Sequence, residues 1–596
     1  SSGLRCSYSR SSSNSLLQPG DPYSLDKIKS ERVRLQQMLK QKGYYHFQAD
    51  HLVVEVDSVA DGRVALHVRL KKEVPVAALS PYRMDSVILY PGYSLERDSS
   101  FLQFNPLDMG GYKIADPQKI YLPQVFQRFV FLKEDSLYRL GWHSLTLERL
   151  MNLGTFKHIK TRFSTHTHDS SLQAHFYLTP QPKRSIQLEL NANSKSNNFV
   201  GSQVKLSILN RNWLKRANRL ELKLSGGFDW QVGGGNVVQA NRSGYTAEAE
   251  LALDLPGLIV PFIKIGTRTS YVPRTRISAA YELMSRPGLY NMNSVTLQIG
   301  YSWRQSKYLE HLLVPLSLSY VRPQNITDTF AAIIREYPSL RQSFEKQYIT
   351  GGHYTVTYNN RSGSRPHSFY LQGNLDMAGN LAGLLARKKA DGKKYLFSEI
   401  FSQYLRVTGE VRHYWKIKTG ITWINRLLAG YGYSYGNSES LPFVKQYFAG
   451  GSNSLRAFRA RTLGPGTFRS AQSIYAANEA GDIRLELNSE WRLKLAGRVE
   501  AALFAESGNI WLLREDSRKP GSGVQSGNLL AEQAIGAGMG IRVDASILIL
   551  RLDLAAPLRK PWLPSGERWV INQWNLGDAG WRRDNLILNI AIGYPF

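Results

Sequence analysis

From about Lys183 to Phe596, apolar and polar residues alternate with a period of two in one stretch after another. Ile186, Leu188, Leu190 and Ala192 alternate with Gln187, Glu189, Asn191 and Asn193, and Val204, Leu206, Ile208 and then Leu220, Leu222, Leu224 repeat the pattern. Ala247, Ala249, Leu251, Leu253 and Leu255 lie opposite Thr246, Glu248, Glu250 and Asp254, and Leu548, Leu550, Leu552 and Leu554 lie opposite Ile549, Arg551 and Asp553. Period two puts alternate side chains on opposite faces of a strand, so the region is predicted to be a long succession of strands with one apolar face each. The final run sets Leu586, Leu588, Ile590, Ile592, Tyr594 and Phe596 against Ile587, Asn589, Ala591, Gly593 and Pro595, which predicts a last strand reaching Phe596.

A soluble sandwich also alternates, but alternation sustained over residues 184–596 exceeds one sandwich. Trp213, Phe228, Trp230, Tyr301 and Trp303 fall near predicted strand ends, as the aromatic girdles of a membrane barrel do. Closing a barrel removes the strand edges that hydrocarbon leaves without hydrogen-bond partners. The fold class expected is therefore an all-β transmembrane barrel of antiparallel strands at 184–596, preceded by α+β modules.

Those modules lie at 21–74 and 80–180, after a Ser-rich segment at 1–20 that reads as flexible or truncated. In the first, Leu25, Ile28, Leu35, Met38 and Leu39 mark a helix that Gly43 ends, and two strand-like runs follow around Asp61-Gly62, a hairpin signal. In the second, a strand at 82–89 and a long insertion precede a helix from Ser144, with Leu147, Leu150 and Met151 on one side, and two strands that turn at His168-Asp169.

Composition sharpens the choice. The 596 residues carry 75 Lys+Arg against 47 Asp+Glu, a net charge of +28, with 42% hydrophobic residues and the single cysteine Cys6. Mean hydropathy is −0.32, and the most apolar stretch, from Leu253, is broken by Pro256 and Pro261. Membrane-spanning helices are thereby excluded and barrel strands are not, because alternation averages to a polar composition. A positive surplus points to polyanions. The basic residues are spread over the whole chain without a base-reading module, so anionic lipid headgroups are expected and nucleic acid is not. Cys6 alone excludes an internal disulfide or a multi-cysteine zinc site. His166-Thr167-His168-Asp169 lacks further ligands, and Gly536-Ala537-Gly538-Met539-Gly540 sits in an alternating strand, where close packing explains it better than a nucleotide loop. Hydrolase and phosphate-loop motifs are missing, so neither an enzyme nor a cofactor or metal is expected.

The most specific stretch runs from Ala449 to Phe468 (AGGSNSLRAFRARTLGPGTF). Its glycines and prolines make it a loop, yet Leu455, Phe458, Leu463 and Phe468 are too apolar for solvent, so 449–480 is predicted to fold back inside the barrel. Strand parity puts Glu490 and Glu506 on the lumen side of adjacent strands, where the Arg456 guanidinium is their natural partner.

Leu455-Arg456-Ala457-Phe458, after Gly450 and Gly451, with Phe504-Ala505-Glu506-Ser507-Gly508, resembles the paired loop and strand motifs of the BamA/TamA superfamily of outer-membrane barrel assembly proteins. Ala457 stands where that family has glycine, and Glu506 where it has aspartate. The stretch from Asn210 resembles the family's early barrel strands, and the modules containing Lys40–Phe47 and Asn152–Phe163 resemble POTRA domains, with most similarity to the TamL branch. The resemblance implies a barrel of about 16 strands in a bacterial outer membrane, POTRA modules in the periplasm, and a weak lateral seam between first and last strands. Ile186 and Leu188 belong to one side of that seam and Gly593, Tyr594, Pro595 and Phe596 to the other, where Gly593 and Pro595 weaken pairing. The implied function is insertion of unfolded outer-membrane clients, with a TamB-like periplasmic partner as a further expectation. The alternative is a protein-export or passive transport pore of the same superfamily.

Overall fold

The computed structural model describes residues 15–596 except 60–61, 95–103, 167–169, 195–198, 232–242, 261–262, 265–268, 337–345, 362–364, 391, 397–398, 470–478, 526 and 546–548. Cys6 and His168-Asp169 lie outside the described residues. The chain divides into two compact units: residues 1–185 with 210–219 and 266–272, and the remainder of 186–596.

In the first unit, helix α1 (Leu25–Gln41) starts at Ser24, whose side chain accepts from Lys27 N. Gly43 follows at φ +98. Leu35 and Leu39 pack with Tyr44, Phe47 and Leu52 above the hairpin of β1 (Leu52–Val59) and β2 (Arg63–Leu70). The second module is a five-stranded sheet of β3 (Arg83–Pro91), β4 (Leu107–Asp108), β5 (Lys113–Ile114), β6 (Phe156–His166) and β7 (Ser171–Pro180), in the order β4-β5-β3-β7-β6. Burial alternates along β7, with Leu172, Ala174, Phe176 and Leu178 inward. Helix α2 (Leu140–Asn152) begins four residues before the expected Ser144, and Met151 is exposed rather than packed. Polar Thr146 takes a core position instead, because its Oγ1 accepts from Phe131 N (2.9 Å).

The second unit holds a 16-stranded antiparallel sheet. Its strands are β8 (Arg184–Ser194), β9 (Phe199–Trp213), β10 (Asn218–Gln231), β11 (Ser243–Pro256), β14 (Arg274–Arg286), β15 (Tyr290–Arg304), β16 (Leu309–Gln324), β17 (Gln347–Asn359) and β18 (His367–Ala378). The remaining seven are β22 (Tyr404–Lys418), β23 (Ile421–Ser434), β24 (Ile483–Ala496), β25 (Val499–Trp511), β26 (Ala534–Asp544), β27 (Ile549–Arg559) and β28 (Ile587–Ile592). Between them lie a two-residue-strand hairpin, β12 (Ile259–Val260) and β13 (Ile263–Lys264), and a small sheet of β19 (Arg387–Lys388), β20 (Lys394–Leu396) and β21 (Glu399–Ile400). Three short helices join long connections: α3 (Asp328–Glu336), α4 (Asn380–Leu385) and α5 (Ala579–Asn585). The sheet order runs from β8 to β28, each strand beside its successor in the sheet. Among the described residues, no helix is long and apolar enough to cross a membrane.

The parity read from the sequence sorts the wall. Leu427, Leu487, Leu503, Ile541 and Leu552 are exposed on the outer face, while Arg426, Glu486, Glu506, Arg542 and Asp553 are buried on the inner one. Trp415, Trp423 and Trp491 pair across β22, β23 and β24 with ring centroids 5.7 and 5.6 Å apart, near the ends joined by short turns. On the same face of β23, Tyr431 and Tyr433 stand exposed near the other end. Trp423 and Tyr433 are about ten residues apart, which at a tilt near 40° is roughly 25 Å, the height of an outer-membrane apolar band.

The expected last strand is corrected. Its run begins after α5, β28 ends at Ile592, and Gly593 at φ +84 turns the chain out of the sheet. Tyr594 then lies 4.1 Å from the Arg492 guanidinium, and Phe596 packs on Tyr414 and Ile424 inside the barrel instead of joining the outer apolar face. A residue without Cβ permits the turn, and the cation–π contact with Arg492 holds Tyr594 beyond it.

A pH dependence of the first unit is expected from His143 of α2. Burial, and then the Lys40 charge, lower its pKa; its ring meets Phe163 at 4.9 Å, and its buried Nε2 has no hydrogen-bond partner among the described residues. The neutral ring's stabilisation is present above the unfolded value of about 6.5 and is lost as pH falls toward the depressed folded one. Hydrogen exchange of α2 amides in the full chain is expected to accelerate between pH 7.5 and 5 beyond the intrinsic rate change, and the His143→Gln variant to lose that extra acceleration.

Candidate functional site: a buried guanidinium cluster in the barrel lumen

The connection from β23 to β24 turns inward. Gly450 at φ +92 and Gly451 at φ +94 open a tight turn in which Gly451 N donates to Phe458 O (2.8 Å) and Phe458 N to Leu455 O (3.1 Å). Leu455, Ala457, Phe458 and Leu463 are buried with Tyr447, Phe504, Ile510 and Ala555. This apolar contact, and not chain stiffness, holds the loop on the inner wall.

Arg456 sits at its tip, fully buried. Its backbone N and its Nε donate to the two oxygens of Glu506 on β25 (2.6 and 2.7 Å), and Nη1 donates to Glu490 on β24 (2.7 Å) and Asp553 on β27 (3.3 Å). Its guanidinium carbon lies 3.4 Å from the Phe504 ring centroid, and its carbonyl accepts from Asn589 Nδ2 on β28 (3.0 Å). One residue thus ties four barrel strands. Further arginines crowd the same carboxylates. Arg492 Nε and Arg542 Nη2 donate to Glu490 (2.6 and 3.2 Å), and Arg551 Nη2 donates to Asn453 Oδ1 on the loop (2.8 Å). A second knot joins Arg426 to Glu410 (2.6 Å) and Glu486 (3.3 Å), and Glu486 to Ser454.

The wall is cut to fit. A Cβ on Gly536 of β26 would lie 2.2 Å from the Ala457 Cβ, one on Gly538 2.5 Å from the Phe504 ring, and one on Gly540 2.0 Å from Asp553 Oδ1. These glycines form a trough along β26 in which loop, ring and ion pairs lie. Ala457 keeps a negative φ, so glycine is not required there, and its methyl fills the space left by Gly536. Gly508 does the same for Leu455, whose Cδ1 would be 3.0 Å from an added Cβ.

Of the residues marked from sequence, Gly450, Gly451, Leu455, Arg456, Ala457, Phe458, Glu490, Phe504, Glu506 and Gly508 meet in this cluster. Ile186 and Leu188 lie on β8 at the other end of the sheet order, and Tyr594 and Phe596 stand at the cluster's margin, against Arg492 and Arg426. Sequence reading missed Asp553, Arg492, Arg542, Arg551 and Asn589. The signal was charge at lumen parity on β24, β26 and β27. Among the described residues, no group of three His, Cys, Asp or Glu is placed to hold a metal.

The Omp85 superfamily domain matches residues 212–577. The chain belongs to the Omp85 superfamily. Over 80 residues, 13% of this chain, it is 30% identical to the outer membrane protein assembly factor BamA of Neisseria meningitidis serogroup B (strain ATCC BAA-335 / MC58), a match that spans 10% of that protein. BamA from Haemophilus ducreyi lacking POTRA domains 1-3 superposes with a TM-score of 0.56 at 14% identity, over 97% of this chain and 94% of that one. CdiB from Acinetobacter baumannii gives a TM-score of 0.46 at 11% identity, over 99% and 86% of the two chains. This Omp85 chain therefore has a BamA-like barrel with POTRA-type modules before it.

Removing one member of a buried ion cluster leaves its partners charged and unpaired, which costs about 3–5 kcal/mol. Arg456→Ala is expected to release the loop to protease and lower the melting temperature, whereas Arg456→Met with Glu506→Leu and Glu490→Gln recovers part of the loss. Gly536→Val is expected to expel the loop equally, because a branched side chain occupies the place of Ala457; protease mapping of residues 449–468 measures both.

Proposed function

We propose that this chain is an outer-membrane protein assembly and insertion factor whose first and last barrel strands form a seam that receives client strands. The carrying observation is β8. From Ile186 to Asn191 both faces of the strand are exposed, and Ile186, Leu188 and Leu190 reach 71, 67 and 76%. Interior strands such as β23, β25 and β27 alternate buried with exposed positions, and β8 stands at the end of the sheet order, so it has the signature of an edge. On the other side β28 has six residues against the eleven of β27, and Gly593 takes the chain away from the sheet.

An edge of unpaired N–H and C=O groups in hydrocarbon is a template for an incoming strand, because pairing is the way to satisfy those groups there. A client hairpin that pairs with β8 satisfies them and gains its own ladder. The β28 side of the seam must stay in place while this happens, and the Arg456 cluster supplies that by binding the loop to β24, β25, β27 and β28. In the second module, β6 is an edge strand of eleven residues, suited to receiving an extended periplasmic segment by strand addition. A lumen wall covered by a tightly bound loop favours insertion over passive transport.

A cysteine in 186–190 and one in 587–592, in a chain whose other cysteine Cys6 is replaced by serine, tests the seam. Oxidised protein in proteoliposomes is expected to stop folding client barrels and reduced protein to resume. Undiminished client folding by the locked form overturns the proposal, and a large stable conductance in a planar bilayer without client folding favours the transport pore.

A further inference from the structure

The outer wall carries a groove far from the seam and the Arg456 cluster. At Pro315-Leu316, β16 bulges against β17, its register shifting between Val314 and Ser317. The partner strand answers with Gly351 and Gly352; a Cβ on Gly352 would lie 2.5 Å from Val314 O. The bulge and the missing side chains leave a depression of about 160 Å³, lined on the outer face by Leu313, Leu316, Leu375 and Met377 and closed at one end by Leu381 of α4. A bulge next to a concavity is a built feature of a sheet more often than a defect.

Helix α4 reverses the pattern of a water-facing helix. Its small residues Ala382 and Gly383 are buried, while Leu381, Leu384 and Leu385 are 64, 83 and 79% exposed. It is fixed in place: Tyr435 bonds Asn380, Gln403 Nε2 donates to Gly379 O (3.3 Å), and Lys394 Nζ donates to Gly383 O (2.7 Å). The chain then runs through β19 and β20, a stretch that carries Arg387, Lys388, Lys389, Lys393 and Lys394, with Lys389 Nζ 4.0 Å from the Tyr395 ring centroid. The first four of these cations are exposed.

We propose that this groove and strap bind a phosphate-bearing membrane lipid, with one acyl chain in the groove beneath Leu381 and the phosphate on the cations of 387–393. The inference rests on the membrane placement proposed above. Apolar groove, outward leucines and basic strap follow one another from the outer wall to its long-loop end, in the order of acyl chain, interface and anionic headgroup. A soluble protein partner gives no reason for the groove to be continuous with the wall that lipid covers, and free phosphate gives no reason for the leucines.

The full chain is reconstituted in phosphatidylcholine nanodiscs containing diphosphoryl lipid A, and retained lipid is read by native mass spectrometry. Wild type is expected to retain the phosphorylated lipid over its dephosphorylated form. The Arg387→Ser, Lys388→Ser, Lys389→Ser, Lys393→Ser variant is expected to lose at least about tenfold in retention, and Leu384→Ser with Leu385→Ser to weaken it without removing the preference for phosphate. Equal retention by the cation variant, no preference for phosphate, full competition by inorganic phosphate, or capture of a protein instead of lipid by a photocrosslinker at Leu384 in cells each overturns the inference. Heat-shifted gel mobility of the same samples reports the folded barrel. Its loss defeats the membrane reading, whereas a folded barrel without lipid selection defeats only this inference.

Discussion

A guanidinium withdrawn from solvent needs carboxylates close to its fork, and that requirement organises this barrel. Arg456 meets it with Glu506 and Glu490 within 2.7 Å, and its demand fixes where the loop tip, β24, β25 and β27 stand relative to one another. Desolvating such charges is expensive and their attraction only offsets it when the geometry is good. The cluster is therefore a specifier of position more than a source of stability. It selects one seating of the loop among the many that apolar contact alone would allow.

The same requirement explains the small residues around it. A charged fork and an aromatic ring fit between loop and wall only where the wall has no side chains, and Gly536, Gly538 and Gly540 provide that strip along β26. Substitution within the motif is absorbed by the pair: Ala457 supplies a methyl and Gly536 the space for it. The two ends of the sheet order differ from this wall: β8 exposes both faces from Ile186 to Asn191, and β28 has six residues and ends at Ile592.

Much of this was legible in the chain. Alternation named the apolar face of β27 through Leu550, Leu552 and Leu554, and parity alone put Glu490 and Glu506 on the lumen side. The loop betrayed itself by holding Leu455 and Phe458 among glycines. Less legible were Arg542, Arg551 and Asp553, since a charge at lumen parity is ordinary in a barrel and nothing local says which charges converge. The terminal strand was misread past Ile592 because Tyr594 and Phe596 keep the apolar parity, and parity is blind to a glycine that rotates the chain out of the sheet.

The sequence by itself determined the period-two strands, their inner and outer faces, and the two α+β modules, because these depend on contacts between near neighbours and on burial of one face. Only the tertiary structure decided which arginines share which carboxylates, that Ala457 rests on Gly536, that the tail after Gly593 lies in the lumen, and that the bulge at Pro315 opens a groove beneath α4. Apart from Arg492 and Glu490, neighbours on one strand, these contacts join residues tens to more than a hundred positions apart, and such meetings are set by how the sheet curves, which no local pattern encodes.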